Sequence, residues 1–319
     1  MKAIKYDQFG SADVLYSAEV PAPRVRPNQV IVDVQTTSVN VIDIRARQGL
    51  LLPLVDKSFP KTPGADVAGV VSAVGERVNT LKIGDRVFGA TNPFKGEAFA
   101  EKVSLPVSAL AIIPEQVSFE EAATLPIAGL AALYSVRDLG KVQRNSRVLV
   151  YGSSGGTGLF AIQLAKLFGA YVSAVCGTNG LSRCKELGAD EVIDYKAGPV
   201  NLSELYDVII DYSSKLTYHD SKKYLQPAGR FIDSSPSIPK VLASNMANFF
   251  RREKNLMLMT SARSKDLEYL GSLVQTGSLK VTISQHFPLE SARQAFLLQE
   301  KGGAVGKIVV RVSHTQTHA

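Results

Sequence analysis

The segment VLVYGSSGGTGLFAIQLAK (148–166) constrains this chain more than any other stretch. A short apolar run enters Gly152, Ser153, Ser154, Gly155, Gly156, Thr157 and Gly158, and a helical pattern opens at once. A dinucleotide pyrophosphate requires that order. Glycines let the backbone turn tightly and approach the phosphates, and the helix N-terminus presents oriented N–H groups to them. A glycine run alone is a weak signal, and a glycine-rich loop without a nucleotide is the competing reading. Here a second strand, AYVSAVC (170–176), follows the helix at the right distance.

The pattern continues. Strands RVLVYG (147–152), AYVSAVC (170–176), EVIDY (191–195), YDVIID (206–211), GRFIDS (229–234) and LMLMT (256–260) alternate with helical stretches such as 158–168, 181–187 and 241–252. Six strands in β-α alternation predict an α/β fold with a parallel, doubly wound sheet. The first hundred residues differ, reading as strands and loops: NQVIVDVQTTS (28–38), DVAGVVSAVG (66–75) and GERVNTLKIGDRVFG (75–89). Near Ser118 the texture changes. Ser118 and Glu121 have capping-box spacing, and a helical pattern runs to Leu139, with a break or late start expected at Pro126. Beyond 262 lie a helix (266–276), a strand LKVTI (279–283), a helix (289–300), a strand KIVVRV (307–312) and a polar tail (313–319) expected to fray.

The chain has 319 residues, long enough for two domains. Its 45% hydrophobic and 20% charged content excludes a disordered or coiled-coil chain. No stretch of about 18 residues stays apolar, so no membrane span is expected. The first ten residues alternate like a strand and lack a signal peptide's apolar block. Two cysteines exclude a disulfide framework or a Cys-rich zinc site, and a cytoplasmic setting fits. Net charge is +7, but the basic residues are dispersed. The densest runs, Lys222-Lys223 and Arg251-Arg252-Glu253-Lys254, read as solvated helix faces, so nucleic acid is not an expected partner.

Cofactor choice is decided at the end of the second strand, where NAD sites place Asp or Glu against the ribose 2′-hydroxyl. This chain reads Cys176-Gly177-Thr178-Asn179-Gly180, with no acid before Glu186 and with Arg183 close by. Without a carboxylate to repel a 2′-phosphate, NADP(H) is favoured, and a guanidinium can bind the phosphate. An exposed helix position is the plain alternative for Arg183.

At this point a resemblance enters. VNVID (39–43), GADVAGVVSAVGERVNTLKIGDRVFG (64–89), GSSGGTG (152–158), GTNGLSRCKELGADEVIDY (177–195) and PLESARQAFLLQEKGGAVGKIVV (288–310) together resemble the medium-chain dehydrogenase/reductase superfamily. Within it the chain is similar to the zinc-independent quinone oxidoreductase branch. The resemblance implies a mainly β GroES-like catalytic domain formed by 1–122 with 263–319, and a Rossmann NADP-binding domain at 123–262. It also implies a homodimer, with LMLMT as an edge strand pairing across a twofold axis. Zinc members of the superfamily carry an early Cys and a Gly-His-Glu-x-x-Gly motif. The matching stretches read Ser38-Val39-Asn40 and Gly64-Ala65-Asp66-Val67-Ala68-Gly69, and residues 89–105 contain no Cys. Zinc prefers ligands of the missing kind. The four histidines, His219, His286 (read as lying in a turn), His314 and His318, show no ligand spacing. No metal is therefore expected, and alcohol oxidation loses its usual route to an alkoxide.

What remains is hydride transfer from a nicotinamide to a quinone or an α,β-unsaturated carbonyl, the cofactor carrying the chemistry. The resemblance puts Asn40 near the nicotinamide, with its amide donating to developing enolate charge. Asp43 and Arg45 would orient substrate or relay a proton, or else form a structural pair. Ser154, Gly155, Gly156 and Thr157 would bind the pyrophosphate, and Gly177, Thr178, Arg183 and Tyr195 the adenosine end. Enone-reducing relatives often have Pro after the Asn and Lys near Arg45, whereas this chain has Val41 and Arg45, which leaves the acceptor open. Loops 46–60 and 92–97 are expected near it. Two rival readings are an NADPH-binding protein with an RNA-binding or structural role, and a trans-acting enoyl reductase.

Overall fold

The structure, a computed structural model, describes residues 1–312 apart from 52, 53, 56, 201 and 203. The tail expected to fray, with His314 and His318, lies outside the described residues. The chain forms two compact units. One comprises Met1–Ile127, Ala262–Gly277 and the chain from Ile283 onward, and the other Ala128–Ser261 with Ser278–Thr282.

The first unit begins with strands β1 (Lys2–Lys5), β2 (Tyr16–Glu19), β3 (Gln29–Ser38), β4 (Asp66–Val74), β5 (Arg86–Ala90), β6 (Lys102–Pro106) and β7 (Leu110–Ile112). The second unit holds β8 (Arg147–Tyr151), β9 (Tyr171–Cys176), β10 (Glu191–Asp194), β11 (Tyr206–Asp211), β12 (Leu225–Asp233) and β13 (Lys254–Met257). The chain then returns to the first unit for β14 (Ile283–Pro288) and β15 (Lys307–Arg311).

In the first unit a sheet runs in the order β14-β15-β3-β4-β5-β7, with β6 also on β3. Val30, Val32 and Val34 of β3 pack at two-residue spacing with Val67, Val71, Val87 and Val103 in one core. Register then decides which strand ends meet. Antiparallel β15 and β3 pair Val309 with Ser38, and antiparallel β3 and β4 pair Thr36 with Ala68. The start of β15, the end of β3 and the start of β4 are therefore neighbours.

The second unit is a parallel sheet in the order β10-β9-β8-β11-β12-β13. Leu149, Val150, Val172, Ala174, Ile209 and Ile210 are fully buried, as strands covered on both faces must be. The chain leaves β8 toward β9 and β10, then crosses to β11 on the other side. That reversal is the topological switch point, beside which such sheets bind their ligands.

Four expectations need correction. The helix predicted from Ser118 to Leu139 breaks around Pro126, as expected, but does not continue as a regular helix beyond it. The capping box is present, Glu121 accepting from the Ser118 N–H at 3.0 Å, but the first α-turn ends at Ala122. Wide π-turns at Leu125–Gly129 and Tyr134–Leu139 then flank Leu130–Leu133, and Pro126, which supplies no N–H for a regular α-turn, accounts for the first of them. LKVTI (279–283) is not a strand of the first unit. Residues 279–282 belong to the second unit, where Gln163 and the main chain of Lys280 exchange hydrogen bonds of 3.0 and 2.7 Å, and only Ile283 opens a strand, β14. Strand β13 lies two residues earlier than LMLMT, leaving Met259 exposed. His286 lies on β14 rather than in a turn, its Nδ1 3.6 Å from Glu120.

Candidate functional site

The first unit buries a polar cluster where the ends of β15, β3 and β4 meet. Asn40 is the N-cap of the helix Val41–Arg47 that follows β3. Its side-chain amide is held at both ends. Nδ2 donates to Asp66 Oδ2 at 2.7 Å, and Oδ1 accepts from Lys307 Nζ at 2.5 Å. Lys307 also donates to the Val39 carbonyl at 3.0 Å and lies 3.5 Å from Asp66 Oδ2, so its three N–H groups have three acceptors. Asp66 accepts from the Ser38 hydroxyl and from the Ile127 N–H at 2.8 Å. All five side chains, those of Ser38, Asn40, Asp43, Asp66 and Lys307, are buried.

Asp43 completes the capping arrangement by accepting from the Asn40 N–H through Oδ2 at 2.9 Å. Its other oxygen, Oδ1, is buried with no hydrogen-bond partner. Burial pushes its carboxyl up to about 7, and the Asp66 charge adds to the shift, while Lys307 and the Asn40 N–H oppose it. Burial likewise lowers the Lys307 ammonium, against the pull of Asp66 and Asp43. Arg45 lies half-buried two residues further along the same helix.

The second unit holds the glycine turn at the carboxyl end of β8. Gly152 adopts φ +76°, a conformation that L side chains rarely take, and reverses the chain. Gly155 is the N-cap of the helix Gly156–Leu167 and offers no side chain to its first N–H groups, which leaves them for a ligand. Gly158 permits close packing, since a Cβ there would lie 2.5 Å from the Ser153 Cα. Ser153 is buried, whereas Ser154, Gly155, Gly156 and Thr157 are partly open. This geometry fits a dinucleotide.

The adenosine end differs from the linear reading. Sheet pairing sets Asp194 of β10 opposite Cys176 of β9, so a carboxylate does stand beside the strand end. Thr178 Oγ1 donates to Asp194 at 2.7 Å, and the Lys196 N–H donates to it at 2.8 Å. Those contacts hold the Asp194 carboxyl below its usual range. Arg183 donates to Thr282 Oγ1 at 2.8 and 2.9 Å and to Glu186 at 2.5 Å. The groups gathered at Gly177 are Tyr195 and Lys196. A Cβ on Gly177 would lie 3.2 Å from the Tyr195 hydroxyl and 3.3 Å from Lys196 Cε. Sequence reasoning missed Lys307 and Lys196. Their one signal was placement, a lysine opening an apolar strand and a lysine following a strand end.

Comparison with known proteins adds the family. Residues 26–129 match the family described as alcohol dehydrogenase GroES-like domain, and residues 187–310 match zinc-binding dehydrogenase. Zinc is thereby implied, but the donors do not fit it. The positions of the zinc motifs hold Asn40, Ala65 and Asp66, with the Lys307 ammonium already among them, and no Cys or His. Among the described residues no group of three His, Cys, Asp or Glu could hold a metal, and no helix is long and apolar enough to cross a membrane. The chain is 35% identical to the chloroplastic quinone-oxidoreductase QR1 of Triphysaria versicolor, over 97% of this chain and 98% of that one. It is 31% identical to the mitochondrial NAD(P)H oxidoreductase RTN4IP1 of Bos taurus, over 98% and 89%. The solved quinone oxidoreductase of Coxiella burnetii superposes with a TM-score of 0.91 at 32% identity, covering 98% of this chain and 99% of that one. With its glycine turn, its parallel sheet and these relatives, the chain belongs to the quinone oxidoreductase branch of the medium-chain dehydrogenase/reductase superfamily.

Proposed function

We propose that the chain reduces quinones, and conjugated enones as chemically equivalent acceptors, with NADPH and without a metal. The observation that carries the reading is the buried Asn40–Asp66–Lys307 cluster, a fixed ammonium and amide where the zinc branch of the family has ligands. The bound nicotinamide supplies the hydride. The overall balance is one quinone, one NADPH and one proton to one hydroquinone and one NADP⁺. The chain's residues bind, orient and handle that proton. Gly155, Gly156 and Thr157 hold the pyrophosphate at the helix N-terminus. Asn40, fixed at both ends of its amide, orients the acceptor, and Arg45, further along the same helix, is a second candidate to orient it. Asp43, poised near neutrality, holds the proton at its unpartnered Oδ1. Steady-state NADPH oxidation with 1,4-benzoquinone tests the reading, with a simple primary alcohol and NADP⁺ as the control that should give no reaction.

For cofactor selection we assign the 2′-phosphate to Tyr195 and Lys196, because Arg183 is already committed to Thr282 and Glu186. Asp194 opposes the phosphate charge, so the preference for NADPH should be modest. Lys196→Ala is expected to raise the KM for NADPH about tenfold and that for NADH less than twofold. Tyr195→Phe should act in the same sense, more weakly, and Arg183→Ala should shift both cofactors alike. Equal losses for both cofactors in Lys196→Ala would refute the assignment.

A second copy of the chain is the proposed partner of the β13 edge. Leu242, Met246, Phe249 and Phe250 form an exposed stripe at helical spacing on Ile238–Phe250, beside that open strand. Sedimentation at micromolar concentration should give a dimer mass, and Phe249→Lys with Phe250→Lys should give the monomer. A monomeric wild type would remove this part of the reading. Both cysteines are free thiols, which supports a cytoplasmic setting.

A further inference from the structure

Beneath the glycine turn lie the only two cysteines of the chain. Cys176 ends β9 immediately before Gly177, and Cys184 sits in the helix Leu181–Glu186. Their sulfurs are 3.8 Å apart, with the Cys184 thiol donating to Cys176. The Ser153 hydroxyl lies 3.5 Å from Cys184 Sγ, and Ser153 is the second residue of the turn. Gly180, between the cysteines, is packed so tightly that a Cβ would lie 2.3 Å from Ser154 Cβ and 3.3 Å from Cys176 Sγ. The dithiol and the turn therefore form one packed block.

We propose that Cys176 and Cys184 are an oxidation site for peroxide, and that closing their disulfide loosens the cofactor turn. The coupling rests on the reading that this turn holds NADPH. Both thiols are buried, so peroxide reaches them as the turn opens locally, and Cys176 is the attacking thiol. Hydrogen bonds from Cys184 and Ser153 lower its pKa, while Cys184, as the donor, is pushed up. The Cys176 thiolate takes one oxygen from hydrogen peroxide, giving the sulfenic acid and, after proton uptake, water. Cys184 then attacks that sulfur and expels a second water. Two thiols and one peroxide thus yield one disulfide and two waters.

Closure has a defined mechanical effect. The sulfurs must approach from 3.8 Å to the bond length of about 2.05 Å. That draws the helix Leu181–Glu186 toward β9, removes the Cys184–Ser153 contact and presses Gly180 against Ser154. The only thiols in this block are the two cysteines themselves, so no third thiol competes for the sulfenic acid.

Trypsin makes the test direct, because it cuts after Lys166, Arg183 and Lys185 and so separates the cysteines. Intact protein treated with hydrogen peroxide should yield 167–183 joined to 184–185, with a loss of two hydrogens. The KM for NADPH should rise about tenfold and return on adding dithiothreitol. Cys184→Ala and Cys176→Ser should keep the untreated KM throughout. Separate peptides with Cys176 as a sulfinic acid would overturn the proposal, as would a cross-link that leaves the KM unchanged. A protein that never turns over NADPH would fail the proposed function, and the coupling with it, while the cross-link is still read by mass.

Discussion

Lys307→Met is expected to destabilise the protein by about 3–5 kcal/mol at pH 7, the usual cost of breaking a buried charge pair from one side. The substitution keeps the side chain out to its ε position and removes the charged nitrogen. Asp66 then loses the cation 3.5 Å away, Asn40 Oδ1 and the Val39 carbonyl lose their donor, and none of these groups can reach water. Urea denaturation would read the loss. Lys307→Arg should recover part of it, since the charge returns with a bulkier, planar donor. Activity separates the two roles of this residue. Lys307 also holds the Asp43 carboxyl down, so the methionine variant should move the alkaline limb of the pH–rate profile upward, which a merely structural lysine would not do. A loss below about 1 kcal/mol would mean that the cluster is not held by this charge.

Asp43→Asn should reshape the dependence of stability on pH. The native carboxyl titrates near 7, above its ordinary value of 3.8, so in this interval the folded protein binds more protons than the unfolded chain. Its contribution to stability is present in full below about pH 4 and is lost as pH rises through 7. Asparagine can still accept the Asn40 N–H but cannot ionise. Relative to the variant, the wild type should therefore lose a few kcal/mol, at most about 4, between pH 4 and pH 8. Denaturation curves of both proteins at those two pH values measure the difference. Parallel stability curves would show that Asp43 does not titrate there. Turnover should follow the same group, with quinone reduction falling above pH 7 in the wild type and a low, flat profile in Asp43→Asn.

Local order was legible in the sequence. RVLVYG, the glycines and the following helix fall where the continuous apolar run and the helical period put them, because strand, turn and helix are each specified within a few residues. Strand β11 matches YDVIID residue for residue. Pairing over long separations was not legible. Lys307 meets Asn40 across 267 positions, and only the β15–β3 register makes them neighbours. Asp194 lies beside Thr178 although 16 residues separate them, so the strand end lacks an acid in sequence and has one in space. Arg183 has a partner that its position along the chain does not reveal, Thr282, nearly a hundred residues away. The ends of LMLMT and LKVTI failed for a related reason, since short apolar runs do not record where their backbone partners stop.

Metal-free hydride transfer from NADPH to a conjugated acceptor is the central claim. Its most direct test is an anaerobic reaction of the purified, chelator-treated protein with a limiting amount of 1,4-benzoquinone, counting NADPH consumed and hydroquinone formed while zinc is measured in the same sample. One NADPH per hydroquinone, an unchanged rate after chelation and no stoichiometric zinc are the expected result. A rate that vanishes on chelation and returns with zinc, or a cofactor left unoxidised while benzoquinone persists, would contradict it.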